Sequence, residues 1–401
     1  MKPLHVVFHQ DESEWQTLYR RLYDSPAAHH LGIPIHHLHS ARSFPAFYYG
    51  TDEIMGLLND ILESMLSLTR LMEKVPPLAI SHFIRSSMVE EIKSTNDIEG
   101  VKSTRKEIRT AMAAQGDSSA AHSVRFWTIV NKYSRLGKPE TIPFRTSRDL
   151  RAFYDDFVLD EVTKDDADNR PDGLIFRKNA VEIRSPAKVI HQGLYPESLI
   201  IETMDRALSI LNDPAAAPLI RIALFHYFFG YIHPFYDGNG RTSRFITSYY
   251  LSKILNPLAA MHFSMTVKKS LKMYYKMFEI ANSPGNAGDL TPFITDFLKI
   301  IRDSIDTVTE ELGNRAKRLE ELAGSLPLSK ISNPKDRAIC LSLLQAALFS
   351  EEGMSLSEIG ESVHLGERTI RTRIDHLPET LVIINKDHHA YRYSLNLETL
   401  K

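Results

Sequence analysis

Residues 233–240, His-Pro-Phe-Tyr-Asp-Gly-Asn-Gly, separate two apolar runs at 217–232 and 241–255, and so divide the middle of the chain into helix, loop and helix. Pro234 ends the first helix, and Gly238-Asn239-Gly240 stand where the second begins. Backbone N–H groups at such a start have no intrahelical partner and can bind an anion. Arg241 and Arg244 are one turn apart and lean back towards that start, so both guanidinium groups can reach phosphates held there. Together they suit a polyphosphate better than a single phosphate, and Thr242 and Ser243 share the same turn. Asp237, just before the glycines, is placed to hold magnesium, an ion that favours one or two carboxylates plus phosphate oxygens and water. His233 is the group that titrates near neutrality, suited to take a proton from an attacking hydroxyl. A lone Gly-x-Gly is usually a turn and a lone His-Pro usually a helix end; their joint occurrence at this spacing favours a site.

The stretch resembles the core motif of the Fic (Fic/DOC) family, His-Pro-Phe-x-Asp/Glu-Gly-Asn-Gly-Arg-x-x-Arg, at His233, Pro234, Phe235, Asp237, Gly238, Asn239, Gly240, Arg241 and Arg244. The resemblance implies a mainly α fold, a Fic helical bundle with a β-hairpin flap. It also implies transfer of AMP from ATP to a Tyr, Thr or Ser hydroxyl of a target protein, with release of pyrophosphate. His233 would be the base, Asp237 the Mg2+ ligand, Gly238 to Gly240 the anion hole and the arginines the phosphate clamps. Relatives that transfer phosphate or phosphocholine commonly depart from this motif, so its intact form favours adenylylation.

Upstream, the apolar spacing of Leu78, Ile80, Phe83, Ile84, Met88 and Ile92 predicts a helix over about 78–98, with Thr95 and Glu99 on one face and Gly100 at its end. A glutamate near a helix end is ordinarily a solvated charge. Ser94 to Gly100 is, however, similar to the family's inhibitory motif Ser/Thr-x-x-x-Glu-Gly/Asn. That likeness implies that Glu99 pairs with Arg244 and displaces the γ-phosphate, leaving ATP poorly posed for in-line attack. Relatives of this kind also run the reverse reaction and remove AMP.

Two β-prone runs flanking Ser185-Pro186 predict a hairpin over about 181–193. In the family a hairpin here is a flap that pairs with an extended target segment, a form of strand addition, and it brings Ile190, His191, Gln192 and Gly193 to the nucleotide. Beyond the motif, Tyr274 and Asn282 match family positions that hold the nucleoside; Tyr275 competes with Tyr274, and a helix tyrosine is often core.

The chain has 401 residues, 43% hydrophobic and 24% charged, enough to bury a sizeable core in two or three domains. Its net charge of −2 gives no global attraction to nucleic acid or membrane. One cysteine, Cys340, fits a reducing compartment, and no signal-like or membrane-spanning run stands out. A cytoplasmic protein with no membrane partner is expected. The first fifty residues, interrupted by Pro26, Pro34 and Pro45, read as irregular. Within them His29, His30, His36, His37 and His39 read as a surface loop, since no Cys or carboxylate accompanies them at ligand spacing. Elsewhere helical periodicity dominates over 53–75, 104–114, 120–134, 147–158, 197–212, 267–281 and 289–322, with a solvated loop from Thr163 to Pro171. The expected divisions are 1–115 with the inhibitory helix, a catalytic core at 116–325, and a module at 330–401.

That last module reads as helices 336–349, 355–363 and 367–377 followed by strands at 381–384 and 391–395, the pattern of a winged-helix (α+β) domain. Arg368, Arg371 and Arg373 could contact DNA, but Glu367, Asp375 and Glu379 dilute that charge, and such a module serves equally for dimerisation or docking. The partners in view are a target protein on the flap, a second copy of the chain, and DNA through 330–401. Two function classes remain: an autoinhibited adenylyltransferase, or a DNA-binding regulator that senses ATP. An ATP sensor has no use for a base at His233, which favours the enzyme.

Overall fold

The structure is a computed structural model that describes residues 2–38, 42–115, 123–184, 189–326, 331, 333–350, 352–386 and 391–400. The chain divides into two compact units, Met1–Glu63 with Glu90–Ile305, and Ser64–Val89 with Asp306–Lys401. The first unit runs through residue 115 without a break between units there.

At the centre of the first unit lies the helix Pro218–Ile232, buried around almost its whole circumference. Its sequence explains this: apolar and aromatic residues occupy every face, so the helix is stable only when enclosed. Pro218 sits at its first turn, where a missing N–H costs nothing. Glu197–Leu211 packs on one side and Asn239–Ile254 on the other. Tyr227, Phe278, Phe293 and Phe297 join the helices that follow in one aromatic layer. The helix Ser147–Tyr154 starts on a capping box between Thr146 and Asp149, then widens into a π turn at Asp155–Leu159 before Asp160–Asp165. Thr163 therefore belongs to a helix, not to the loop expected from the local acidic composition.

The described residues among the first fifty form regular elements, contrary to the irregular reading. Helices Leu4–Phe8 and Glu12–Tyr23 cover a cluster of Leu4, Val7, Trp15, Leu18, Leu22, Phe47 and Ala287. Strands Ala28–His36 and Ser43–Tyr49 pair antiparallel. Leu31, Ile33 and Ile35 alternate inward, and Pro34 faces Pro45 in a two-stranded ribbon, where edge strands tolerate proline. The histidines are correspondingly not a surface loop: His29 stacks on Tyr48, His30 meets Tyr23 edge-on, and His37 is buried with Nδ1 on Asn282 O at 2.9 Å. His39 lies outside the described residues. The helix expected at 120–134 is Trp127–Tyr133, with 116–122 outside the description.

In the second unit, helices Pro334–Phe349, Leu356–Val363 and Glu367–Asp375 precede an antiparallel hairpin, Val382–Asn385 with Arg392–Leu395. Ser355 and Glu358 form a capping box at the second helix. Glu358 also takes Arg85 and Arg392. Residues 327–330 and 387–390, which include the expected linker and the turn of the hairpin, lie outside the description. The fold is mainly helical with three small hairpins among the described residues, the flap and the C-terminal hairpin that were expected and Ala28–His36 with Ser43–Tyr49 in addition. Among those residues no helix is long and apolar enough to cross a membrane.

Candidate active site

His233 closes the central helix in a left-handed conformation, φ 50° and ψ 64°, with its N–H on Phe229 O at 3.0 Å. That conformation is unfavourable for a residue with a Cβ, by about 1 kcal/mol, and it is held from outside. Arg177, fully buried, donates through Nε to His233 O at 2.9 Å. The loop beyond is equally fixed. Tyr154 stacks on Phe235 at 3.6 Å and donates to Asp237 O at 3.0 Å. Asn239 Oδ1 accepts from Phe235 N at 3.0 Å while its Nδ2 donates to Phe235 O at 2.8 Å. Gly238 is left-handed, φ 74°, and a Cβ there would press on Val158 at 3.0 Å. Burial pushes the His233 imidazole down to about 4, aided by His191 and Arg177 and opposed by Glu99. The ring is therefore neutral at neutral pH, the form that accepts a proton.

The helix Asn239–Ile254 starts directly after Gly238. Thr242 N–H bonds to Gly238 O at 3.0 Å, so the open donors lie before it. Thr242 and Ser243 are buried, Ser243 Oγ on His226 Nδ1 at 3.1 Å and Thr242 Oγ1 without a hydrogen-bond partner among the described residues. Over this first turn lies Glu99: a Cβ on Gly240 would come within 2.1 Å of Glu99 Oε1. Arg244, 1% exposed, gives Nη2 to Glu99 Oε1 at 2.8 Å and to Thr95 O at 3.1 Å, and Nε to Thr95 Oγ1 at 2.9 Å. The last turn of Pro77–Ile98 and the residue after it thus hold Arg244 through Nε and Nη2.

Glu91, four residues before Thr95 on that face, was not singled out from sequence. It is fully buried and accepts from Ser264 N–H at 2.9 Å and Met265 N–H at 3.3 Å, capping the helix Phe263–Lys269. Burial raises its pKa while these bonds pull the other way. Glu91→Ala strands two buried N–H groups and is expected to lower unfolding free energy by about 2 kcal/mol in a urea titration.

Arg241 also has a carboxylate. It is 0% exposed, with Nη1 on Glu161 Oε2 at 2.8 Å, and Arg125 stands 3.7 Å from the other Glu161 oxygen. Arg241 Nε and Nη2 are buried without a hydrogen-bond partner. Burial raises the Glu161 pKa, against the pull of Arg241 and Arg125. Glu161→Ala leaves a buried charge unpaired, and the expected loss is about 3 kcal/mol, read from the denaturation midpoint; Glu161→Gln, which keeps an acceptor, loses less.

The flap strands Glu182–Arg184 and Val189–Gln192 pair with Ile183 opposite His191; Ser185 to Lys188 lie outside the described residues. Ile190 is exposed, while His191 turns inward with Nε2 on Tyr231 O at 2.7 Å. Gly193 N–H bonds Val181 O at 3.0 Å, and a Cβ there would strike Arg177 Nη2 at 2.5 Å. Tyr274 is 5% exposed with its hydroxyl on His226 Nε2 at 2.7 Å, so its ring is core; Tyr275, 52% exposed, offers an open face. Asn282 Oδ1 accepts from Tyr227 at 2.9 Å, which turns its NH2 the other way. Asp237 is half-buried with Oδ1 on Gly238 N, leaving its second oxygen for a cation.

Residues 134–251 match the Fic/DOC family. "Protein adenylyltransferase Fic" of Drosophila sechellia and of Drosophila melanogaster are each 28% identical over 192 residues, 48% of this chain and 35% of theirs. The chain thus spans about a third of the length of these curated relatives. The crystal structure of a Fic family protein from Desulfovibrio desulfuricans G20 superposes with a TM-score of 0.52 at 21% identity, covering 87% of this chain and 97% of that one. The motif loop and the helix start both lie within the residues that match the Fic/DOC family, and that stretch is distantly similar to protein adenylyltransferase Fic.

Proposed function

We propose that the protein is an autoinhibited protein adenylyltransferase, which transfers AMP from ATP to a Tyr, Thr or Ser hydroxyl of a target protein. The observation that carries this reading is Glu99 seated over Gly240 and on Arg244, at the one helix start where a polyphosphate would bind. In the reaction the target oxygen attacks the α-phosphorus and its proton passes to the neutral His233 imidazole. The bond from the α-phosphorus to the bridging oxygen breaks, and pyrophosphate leaves with that electron pair. The helix start and Arg244 stabilise the developing charge once Glu99 has moved away. Asp237 fits the single carboxylate that magnesium needs beside phosphates, and the ion when bound neutralises phosphate charge. The open ring of Tyr275 and the NH2 of Asn282 are suited to a nucleoside, the first in place of the buried Tyr274. The flap would hold an extended target segment by strand addition.

Incubation of the Glu99→Gly protein with target lysate and ATP labelled at either the α- or the γ-phosphate tests the reading. Transfer of the α-label alone is expected; transfer of the γ-label alone would make the protein a kinase and overturn it. A second reading, removal of AMP, draws on Glu99 itself: its side chain stays 26% exposed while Oε1 holds Arg244, a position from which a carboxylate can orient a water. Residues 334–400 are proposed as a winged-helix module. Arg373 there is held by Asp336 at 2.7 Å, which favours dimerisation or target docking over DNA, and duplex binding that falls with salt would reverse that preference.

A further inference from the structure

Arg177 is a fully buried arginine whose donors all go to backbone carbonyls: His233 O at 2.9 Å, Asn179 O at 2.6 Å, Leu194 O at 2.9 Å and Ile232 O at 3.4 Å. Among the described residues no carboxylate pairs with it, and burial lowers its pKa only to about 10, so it stays charged. Burying a charge without a counter-ion is costly, and an apolar side chain would fill the same space more favourably. What the guanidinium does there is join three strands of chain. Asn179 leads into the flap, Leu194 leads out of it with its own N–H on Ile232 O at 3.1 Å, and Ile232 and His233 end the central helix. A cation also complements the free carbonyls of that helix end. Gly193 is the counterpart of this packing, since any side chain on it would meet both Arg177 Nη2 and His233 Cβ.

We propose that Arg177 is a positioning residue that ties the base His233 to the flap, so that a hydroxyl carried by the flap meets the imidazole at a fixed separation. The role rests on the adenylyltransferase reading, and the planar fork makes it specific to arginine. An ammonium cannot span four carbonyls that face it from separate segments.

The test uses the full chain with Glu99→Gly as parent, adding Arg177→Met or Arg177→Lys. For Arg177→Met, kcat for AMP transfer is expected to fall about a hundredfold with KM for ATP changed less than about threefold. The acid limb of its rate profile should move to higher pH, because of the groups facing His233, namely His191, Arg177 and Glu99, a positive one has been removed. Arg177→Lys should restore the acid limb but only part of kcat. Imidazole titration of His233 by NMR, assigned with His233→Ala, reads the same contact without any turnover, and an upward shift in Arg177→Met is expected even if the parent transfers no AMP. A parent without AMP transfer would therefore sink the enzymatic reading alone. Unchanged kcat in both variants, or an unchanged His233 titration with lost thermal stability only, would reduce Arg177 to a packing residue. Should Arg177→Met not fold, Arg177→Lys decides: parental kcat overturns the proposal, and a tenfold or greater loss in a folded protein supports it.

Discussion

Glu99→Gly should raise AMP transfer by about 10²-fold over the natural sequence, the scale on which one preorganised donor to a developing charge matters. The gain comes from a single place. Arg244 is 1% exposed, and its Nε and Nη2 are given to Thr95 and Glu99, so these donors are withheld from a phosphate while Glu99 is in position. Removing the carboxylate frees Nη2 and clears the space over Gly240. Thr95 remains, and it still aims the guanidinium through Nε at 2.9 Å. Thermal stability should fall as well, by less than in Glu161→Ala, because the buried Arg244 loses its carboxylate but keeps its bonds to Thr95. Radiolabel incorporation with saturating ATP measures the effect, and equal incorporation by both proteins would refute the inhibitory role.

Adding His233→Ala to that activated protein should abolish transfer to within about 10²- to 10⁴-fold below it, the range of a lost general base. ATP should still bind, since the helix start and Arg244 are untouched, and nucleotide binding measured by calorimetry separates this from a misfolded site. The pH dependence follows from the same residue. Its imidazole pKa is pushed down to about 4, and the base must be neutral to act. Activity of the Glu99→Gly protein should therefore hold level as pH falls from 7 towards 5 and decline only near 4. The acid limb is set lower still by loss of Glu99, whose charge had favoured the protonated ring. A limb centred near 6.5 would mean that the base is exposed or is another group.

The motif loop could be picked out from sequence because it is a set of residue types at fixed local spacing, and it falls within the residues that match the Fic/DOC family. His233, Asp237, the glycines and the arginines all fall within twelve positions. Helix ends were legible for a similar reason, with Pro218 and the Thr146/Asp149 box as local signals. Arg177 and Glu161 carried no such mark. Arg177 meets His233 from 56 residues away and Glu161 meets Arg241 from 80, and a buried polar residue gains its meaning only from the groups that surround it in the fold. The Ala28–His36 hairpin was missed differently. Its alternation of Leu31, Ile33 and Ile35 was present, but Pro34 and Pro45 outweighed it, although proline is tolerated where a strand edge is free. Tyr274 and Tyr275 could not be separated by spacing, since one step around a helix decides which ring is enclosed.

The absent side chain of Gly240 has a genetic consequence. The hollow it leaves admits Glu99 and would admit phosphate, so any substitution that evicts the restraint from this side evicts the substrate as well. Hyperactive alleles should therefore be confined to the restraining helix and its end, residues 91–100. A selection for toxic variants should return none from 238–244, leaving one segment of the chain free to tune output while the other stays fixed.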